Sequence, residues 1–199
     1  IYINGEKNLK INDEGYLITD MIPFGKYKIT EVKSSDDYYL NENSVEILVN
    51  DDTISNNIYE FNFYNELKKG SITIQKKGQV YDERNNTYSF KNLENIEYKL
   101  YANEDIVTSD GTIHYKKGDI VATKKTNNIG FVEFNNLVLG NYCFIETETL
   151  PIYNIDNKSH CFNLRELKGV YYQHRNYLKT SNIKILKYDA DSKKTLANV

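Results

Sequence analysis

Short stretches of alternating apolar and polar residues run through most of this chain. Examples are SITIQK, IEYKLYA, TIHYKKG, IVATKKT, GFVEFNNL, GNYCFIETE, HCFNLRE and GVYYQHRN, which are rich in Ile, Val, Tyr and Phe. That composition with a period of two is typical of β-strands, and helical periodicity is hard to find. Turn signals at Asp110-Gly111 and before Gly130 separate the stretches. The pattern predicts an all-β fold with roughly seven or eight short strands in about 110 residues, which indicates a β-sandwich.

Two blocks of the chain occur twice. GYLITDMIPFGKYKITE matches GFVEFNNLVLGNYCFIE, and FNFYNELKKGSITIQK matches YQHRNYLKTSNIKILK. The spacing from Asn65 to Lys76 equals that from Asn176 to Lys187. A repeat of about 110 residues is too long for a solenoid and is typical of tandem domains. The predicted units are the back part of a first domain (1–67), a complete domain (68–178) and the first strand of a third (179–199).

In each unit, a polar residue occupies the next position on the apolar face of a predicted strand. Residues two apart share a face of a strand, so Lys76 extends the face of Ile72 and Ile74. By the same two-residue spacing, Glu146 and Asn176 lie on the apolar faces of two other predicted strands. Each polar residue could lie just past a strand end, in solvent. Their recurrence at matching places in a repeat instead favours burial together.

The incomplete units carry the same residue types. Glu31 follows Tyr27 and Ile29, and Asn65 is predicted to share a face with Phe61 and Phe63. In the third unit the matching lysine is Lys187. We expect residues 180–199 to pack poorly unless they pair with residues 1–67 of another chain.

Burial would make these side chains reactive. A buried unpaired charge costs several kcal/mol, so such a group shifts its pKa and becomes neutral. A neutral lysine amine is a nucleophile, and a buried Glu with a raised pKa can protonate a carboxamide and its leaving ammonia. Lysine and asparagine would then yield an amide cross-link between the first and last strands of the domain. Lys77 is a competing nucleophile, but its parity points it away from Ile72 and Ile74.

Several of these segments resemble the Cna B-type, or SpaA-like, domains of Gram-positive surface proteins and pilins. The matching stretches are SITIQKK, DGTIHYKKGDIVAT, GFVEFNNLVLGNYCFIETE and HRNYLKTSNIKILKYDADSKKTLANV. The resemblance implies tandem immunoglobulin-like or prealbumin-like β-sandwich domains. It also implies an autocatalytic isopeptide bond with Lys76 as the nucleophile, Asn176 as the acceptor and Glu146 as the assisting acid. The corresponding residues of the other units are Glu31, Asn65 and Lys187.

The same resemblance implies a structural stalk repeat of a wall-anchored adhesin or pilin at the surface of a Gram-positive bacterium. Its partners would be neighbouring repeats of the same polypeptide. An alternative is a binding module whose loops or tyrosine-rich surface contact host matrix protein or glycan. A third class, a hydrolytic or carrier enzyme, is disfavoured because the sequence shows no Ser-His-Asp motif, metal cluster or phosphate loop. Single-turnover self-cross-linking is the only catalysis expected.

The charge, hydrophobicity and histidine content of the chain argue against several other classes of function. The net charge is −3 with acids and bases mixed, which argues against nucleic-acid binding. No apolar run approaches the roughly 18 residues of a membrane span. No CxxC occurs and the three histidines are scattered, so neither a metal nor a cofactor is expected. His174 shares a face with Asn176 and is interpreted as a partly buried polar neighbour rather than a catalyst.

Each of the two cysteines is predicted to lie on the opposite strand face from the apolar residue beside it. Cys143 and Cys161 would be cross-strand neighbours if their strands form a hairpin across residues 147–158. A disulfide is one possibility, but two free thiols are the favoured interpretation. Two cysteines do not identify the redox compartment.

Overall fold

The structure is a computed structural model that describes residues 1–4, 9–165 and 169–197, and all regular secondary structure in these ranges is β. None of the described residues forms a helix that could cross a membrane. The strands are β1 (Tyr2–Ile3), β2 (Gly25–Thr30), β3 (Val45–Val49), β4 (Lys69–Asp82), β5 (Thr87–Asn92), β6 (Glu97–Ala102), β7 (Ile106–Val107), β8 (Ile113–Tyr115), β9 (Ile120–Lys125), β10 (Phe131–Val138), β11 (Gly140–Glu148), β12 (His160–Leu164) and β13 (Val170–Asn176).

The first unit is a small antiparallel sheet with the strand order β1-β2-β3. The predicted strand face of Asn65, Phe61 and Phe63 is wrong, because residues 59–66 form no strand and Phe61 is exposed. This segment is joined to the rest of the unit by the isolated bridge between Tyr38 and Leu67. No strand in the described part of this unit holds the position that β4 has in the second unit.

The second unit is a β-sandwich, which confirms the predicted fold class. One sheet has the order β10-β4-β13, with β5 paired to the far half of β4, and the other has the order β12-β11-β6-β9. Strand β4 buries every second residue from Ile72 to Gly78. Its apolar side chains meet those of β6 and β11 in a core that includes Tyr98, Leu100 and Phe144. The alternating pattern therefore supplies one buried face to each sheet.

The second unit has more strands than the pattern predicted. Strands β5 and β7 are absent from the prediction, because β5 is almost wholly exposed and β7 is only two residues long. Strand β4 is also long, with 14 residues, because its first half pairs with β10 and β13 and its second half with β5. The hairpin signal at Asp110-Gly111 is confirmed between β7 and β8, where Gly111 has φ of 81°.

The first and last strands of the second unit lie side by side. Strand β13 is parallel to β4, with His174 opposite Lys76 and Asn176 opposite Gly78. Residues 76 and 78 share the buried face of β4, and residues 174 and 176 share that of β13. This parallel pairing brings the ends of the unit together inside the sandwich.

The predicted first strand of a third unit is not formed. Ile183 and Ile185 are 88% and 86% exposed, and residues 180–187 contain no strand. Lys187 is likewise exposed. The alternating pattern is present, but no described strand pairs with this segment, and a strand needs a partner for its backbone groups. The turn that follows is closed by the bridge between Tyr188 and Thr195 and by the Asp189 side chain, which accepts hydrogen bonds from the next turn residues.

The two cysteines form a disulfide, so the expectation of free thiols is wrong. Strands β11 and β12 are antiparallel neighbours, and their register pairs Cys143 directly with Cys161. The hairpin that the sequence left open therefore forms. Its register determines which residues lie opposite each other, and parity alone could not supply it.

Gly78 makes room for two core side chains. A Cβ at this position would lie 2.5 Å from both Leu93 Cδ1 and Tyr153 Cζ. Contacts this short require the neighbours to move. The absent side chain therefore allows the Tyr153 ring to pack against β4.

We expect Gly78→Ala to lower the free energy of unfolding by about 1–3 kcal/mol through overpacking. Chemical denaturation of the purified chain measures this change. The matched control is Gly25→Ala in β2, where the nearest atom to the new methyl group is 3.9 Å away. Equal effects of the two substitutions would contradict the packing explanation.

Candidate functional site

The Lys76 amine is enclosed inside the second unit. Lys76 lies on β4 with 0% exposure, and its Nζ has three polar neighbours. Nζ lies 2.5 Å from Asn176 Oδ1, 3.1 Å from Glu146 Oε2 and 3.1 Å from His174 Nδ1. A buried ammonium needs such partners, because an unpaired one costs several kcal/mol. The structure thus brings the predicted lysine, glutamate and asparagine to one point.

Glu146 bridges the amine and the carboxamide. One carboxylate oxygen faces Lys76, and the other accepts a hydrogen bond from Asn176 Nδ2 at 2.7 Å. The same Nδ2 donates to Thr149 Oγ1 at 2.8 Å, and the Asp156 backbone N–H donates to Glu146 at 3.1 Å. Strands β4, β11 and β13 each contribute one of the three predicted residues. The amide nitrogen and the amine are therefore held at opposite ends of one carboxylate.

Burial destabilises the charged form of the Lys76 amine. Burial lowers the pKa of Lys76 from 10.5 to about 8, although the charge of Glu146 opposes this shift. Burial also lowers the pKa of His174, and the positive charge of Lys76 adds to that effect. A lowered pKa increases the fraction of neutral, nucleophilic amine at a pH near neutrality.

Aromatic rings separate these groups from water. The Lys76 Nζ lies 5.8 Å from the centre of the Tyr98 ring, which packs edge-on against Phe144 with centroids 5.5 Å apart. The Tyr98 hydroxyl lies 2.7 Å from His174 Nδ1, and burial raises the pKa of that phenol. Such an apolar enclosure strengthens each electrostatic interaction inside it.

The first unit contains the same arrangement of a glutamate and an asparagine. Asn65 Nδ2 donates to Glu31 Oε1 at 2.7 Å and to Ser34 Oγ at 2.9 Å. The Asn41 backbone N–H donates to the other Glu31 oxygen at 2.7 Å. These partners have the same spacing from Glu31 as Thr149 and Asp156 have from Glu146. No lysine among the described residues hydrogen bonds to this pair, and Lys187 is exposed elsewhere.

Sequence reasoning missed the surroundings of His174. This residue is 3% exposed rather than partly buried, and it contacts the amine directly. The prediction that the histidines are scattered is also wrong for two of them, because His160 and His174 flank Asp156 with donor atoms within 4.8 Å. Strands β12 and β13 belong to different sheets, so only the sandwich brings these side chains together. The signal in the sequence was the two-residue spacing of His174 and Asn176, which puts both side chains on the same face of the strand.

Comparison with known proteins identifies a family. A family model described as SpaA, prealbumin-like fold domain, matches residues 2–66 and 70–177. Curated proteins give no significant match.

Solved structures resemble this chain to different extents. The Bacillus anthracis TIE protein is 20% identical with a TM-score of 0.60, over 96% of this chain and 35% of that one. GBS52, a minor pilin of Streptococcus agalactiae, is 17% identical with a TM-score of 0.45, over 89% and 70% of the two chains. The shaft pilin SpaA of Lactobacillus rhamnosus GG is 19% identical with a TM-score of 0.41, over 64% and 58%. The chain spans about a third of the length of the TIE protein.

The lowered pKa of Lys76 predicts a pH-dependent stability when the amine has no carboxamide beside it. In Asn176→Ala, the folded state binds fewer protons than the unfolded state between about pH 8 and 10.5. Below this pH range the buried ammonium destabilises the folded state by the full amount, and above it the amine is neutral in both states and the destabilisation is gone. We therefore expect the free energy of unfolding to rise by about 1–3 kcal/mol across the window. Chemical denaturation at several pH values measures the slope.

The control is the double variant Asn176→Ala/Lys76→Met, which has no amine at this position. Ionisation of the many tyrosines affects both proteins alike, so the difference between their slopes belongs to Lys76. Identical slopes in the two proteins would mean that Lys76 titrates normally.

Proposed function

The chain belongs to the family of SpaA-type, prealbumin-like fold domains, and from this membership and the buried site we propose that it is a stalk segment of a Gram-positive surface protein, pilin-like in kind. We propose that an isopeptide bond between Lys76 and Asn176 stabilises its second unit. The observation that carries the proposal is the enclosed amine, which lies between the Asn176 carboxamide and the Glu146 carboxylate. Apart from this single turnover on itself, the chain is proposed to have no enzymatic activity.

The reaction starts from the Lys76 ammonium and the Glu146 carboxylate, 3.1 Å apart. Transfer of one proton within this pair produces a neutral amine and a neutral carboxylic acid. The amine lone pair then attacks Cγ of Asn176, and the π electrons of the carbonyl group move onto Oδ1. A tetrahedral intermediate results, in which Nζ still carries two protons and a positive charge.

Collapse of this intermediate breaks the bond between Cγ and Nδ2 of Asn176. Glu146 supplies the proton with which that nitrogen leaves as ammonia, since its Oε1 is 2.7 Å from Nδ2. In total Lys76 loses two protons, of which ammonia carries away one and water receives the other. No oxidant, metal or cofactor is needed for this balance.

The position of the bond suits a domain under tension. Strands β4 and β13 are parallel neighbours, so force on the two ends of the unit shears one strand against the other. A bond between Lys76 and Asn176 would carry this force past residues 77–175. By the closed-loop reasoning used for disulfides, a loop with a sequence separation of 100 could add about 4–5 kcal/mol of stability.

The proposed location is the exterior of the cell. The Cys143–Cys161 disulfide supports this, because disulfides persist in oxidising extracellular environments. The proposed partners are neighbouring domains of the same polypeptide, since the family match covers two successive units. The alternative, a module that binds host matrix protein or glycan, is not favoured by any described feature.

We expect the intact chain, after reduction of its disulfide, to weigh about 17 Da less than its sequence mass because one ammonia has left. Denaturing mass spectrometry measures this difference, and peptide mapping should link Lys76 to Asn176. Lys76→Met and Asn176→Ala should retain the full sequence mass. Lys77→Met, which changes the neighbouring lysine of opposite parity, should still lose ammonia. A wild-type chain at full sequence mass would refute the cross-link.

The proposed bond also predicts a mechanical difference. When the chain is pulled from its ends with the Cys143–Cys161 disulfide reduced, Lys76→Met should release the roughly 100 residues between the two strands, an extension of about 350 Å. The wild-type second unit should not show this step. Single-molecule force spectroscopy measures it, and an equal extension in both proteins would exclude a load-bearing bond.

A further inference from the structure

His174 is a third polar group at the reacting amine, and the reaction above leaves it unused. Its Nδ1 lies 3.1 Å from Lys76 Nζ and 2.7 Å from the Tyr98 hydroxyl. The side chain is almost fully buried on the same face of β13 as Asn176. A buried imidazole in contact with a nucleophile has the geometry of a general base.

Asp156 selects the form of this imidazole that can accept a proton. Its Oδ2 lies 3.0 Å from His174 Nε2 and 3.2 Å from His160 Nε2. Partial burial alone would raise the pKa of Asp156, but hydrogen bonds led by the one from His174 lower it to about 2. The carboxylate can only accept hydrogen bonds, so Nε2 of His174 carries the proton. Its Nδ1 then presents a lone pair to the Lys76 amine.

The groups around His174 keep the ring neutral at neutral pH. Burial and the charge of Lys76 lower its pKa, while Asp156 and Glu146 oppose that shift. The other titratable groups that face the ring are His160, with a centroid distance of 4.9 Å, Tyr172, at 6.1 Å, and Tyr98. A neutral ring with an unprotonated Nδ1, which the Lys76 amine and the Tyr98 hydroxyl both approach, is the state that a base requires.

We propose that His174 takes a proton from Lys76 Nζ as the amide bond forms, and that Asp156 is the positioning residue that orients the ring. This inference rests on the proposed cross-link. Two protons must leave Nζ, whereas Glu146 can hold only one at a time. Glu146 takes the first and returns it to the leaving nitrogen, and His174 takes the second after Nζ has attacked Cγ.

The proton balance closes with this division of roles. The intermediate holds a positively charged Nζ, a negatively charged oxygen and a protonated Glu146. Its collapse gives the neutral amide, ammonia, a His174 imidazolium and a Glu146 carboxylate. The imidazolium, paired with Asp156, then releases its proton to water. The two proton transfers occur at opposite ends of the reacting group, because His174 faces Nζ and Glu146 Oε1 faces Nδ2.

The test compares His174→Gln with His160→Gln in the full chain. A glutamine at position 174 can hydrogen bond to Lys76 and Asp156 but cannot act as a base. His160 also donates to Asp156, yet it makes no hydrogen bond to Lys76. Each protein is made in a short pulse of cell-free synthesis and quenched in denaturant at successive times, and the loss of ammonia is read by mass after reduction. We expect His174→Gln to react about 10²-fold more slowly, and His160→Gln at nearly the wild-type rate.

The pH profile separates a base from a merely structural residue. Below the pKa of His174, which lies under 6.5, the wild-type rate should fall more steeply with acidity than the rate of His174→Gln. The reacting pair needs the proton that Lys76 carries, so the fall in rate above about pH 8 belongs to Lys76 and should remain in both proteins. Parallel profiles for the two proteins would overturn the role of His174.

The outcomes distinguish this inference from the proposed function. If the wild-type chain loses no ammonia, the cross-link itself is refuted. If it does lose ammonia and His174→Gln reacts equally fast, then Glu146 carries both protons and only the inference fails. Should His174→Gln not fold, Asp156→Asn replaces it, because that change leaves the ring and the backbone donor to Glu146 in place. About tenfold slower reaction would support the inference, and a wild-type rate would overturn it.

Discussion

One buried amine organises the second unit. The Lys76 side chain lies in the core of a β-sandwich, where an isolated ammonium would cost several kcal/mol. The surrounding strands offset this cost with a carboxylate, a carboxamide oxygen and an imidazole nitrogen. Because these acceptors come from β11 and β13, the amine can be satisfied only when both sheets are assembled. The same enclosure lowers the pKa of the amine and so prepares it to react.

The acid and the amide form a unit that does not depend on the lysine. Glu31 and Asn65 repeat the geometry of Glu146 and Asn176, with the same 2.7 Å hydrogen bond, although no lysine in the described part of the chain hydrogen bonds to them. In both places a backbone N–H ten residues beyond the glutamate donates to its second oxygen. The local chain after each glutamate therefore positions the carboxylate, and the amine is an addition from a neighbouring strand.

The register of two parallel strands determines whether the amine and the amide can meet. Asn176 is opposite Gly78 rather than Lys76, so the long lysine side chain reaches diagonally to the carboxamide. A side chain at position 78 would lie on the same buried face and collide with Tyr153. The glycine thus leaves room for the Tyr153 ring to pack against β4 on the face that carries Lys76.

The amino-acid sequence by itself determined the β character of the chain, its repeat and the parity that puts Lys76, Glu146 and Asn176 on apolar faces. These features follow from the period of two of an extended chain, which is a local property of the backbone. Tertiary structure decided which faces meet. It paired Cys143 with Cys161, brought His160 and His174 to Asp156 from two different sheets, and gave residues 180–187 no partner among the described strands. Strand neighbours and register depend on hydrogen bonds and packing between distant segments, and no local pattern contains that information.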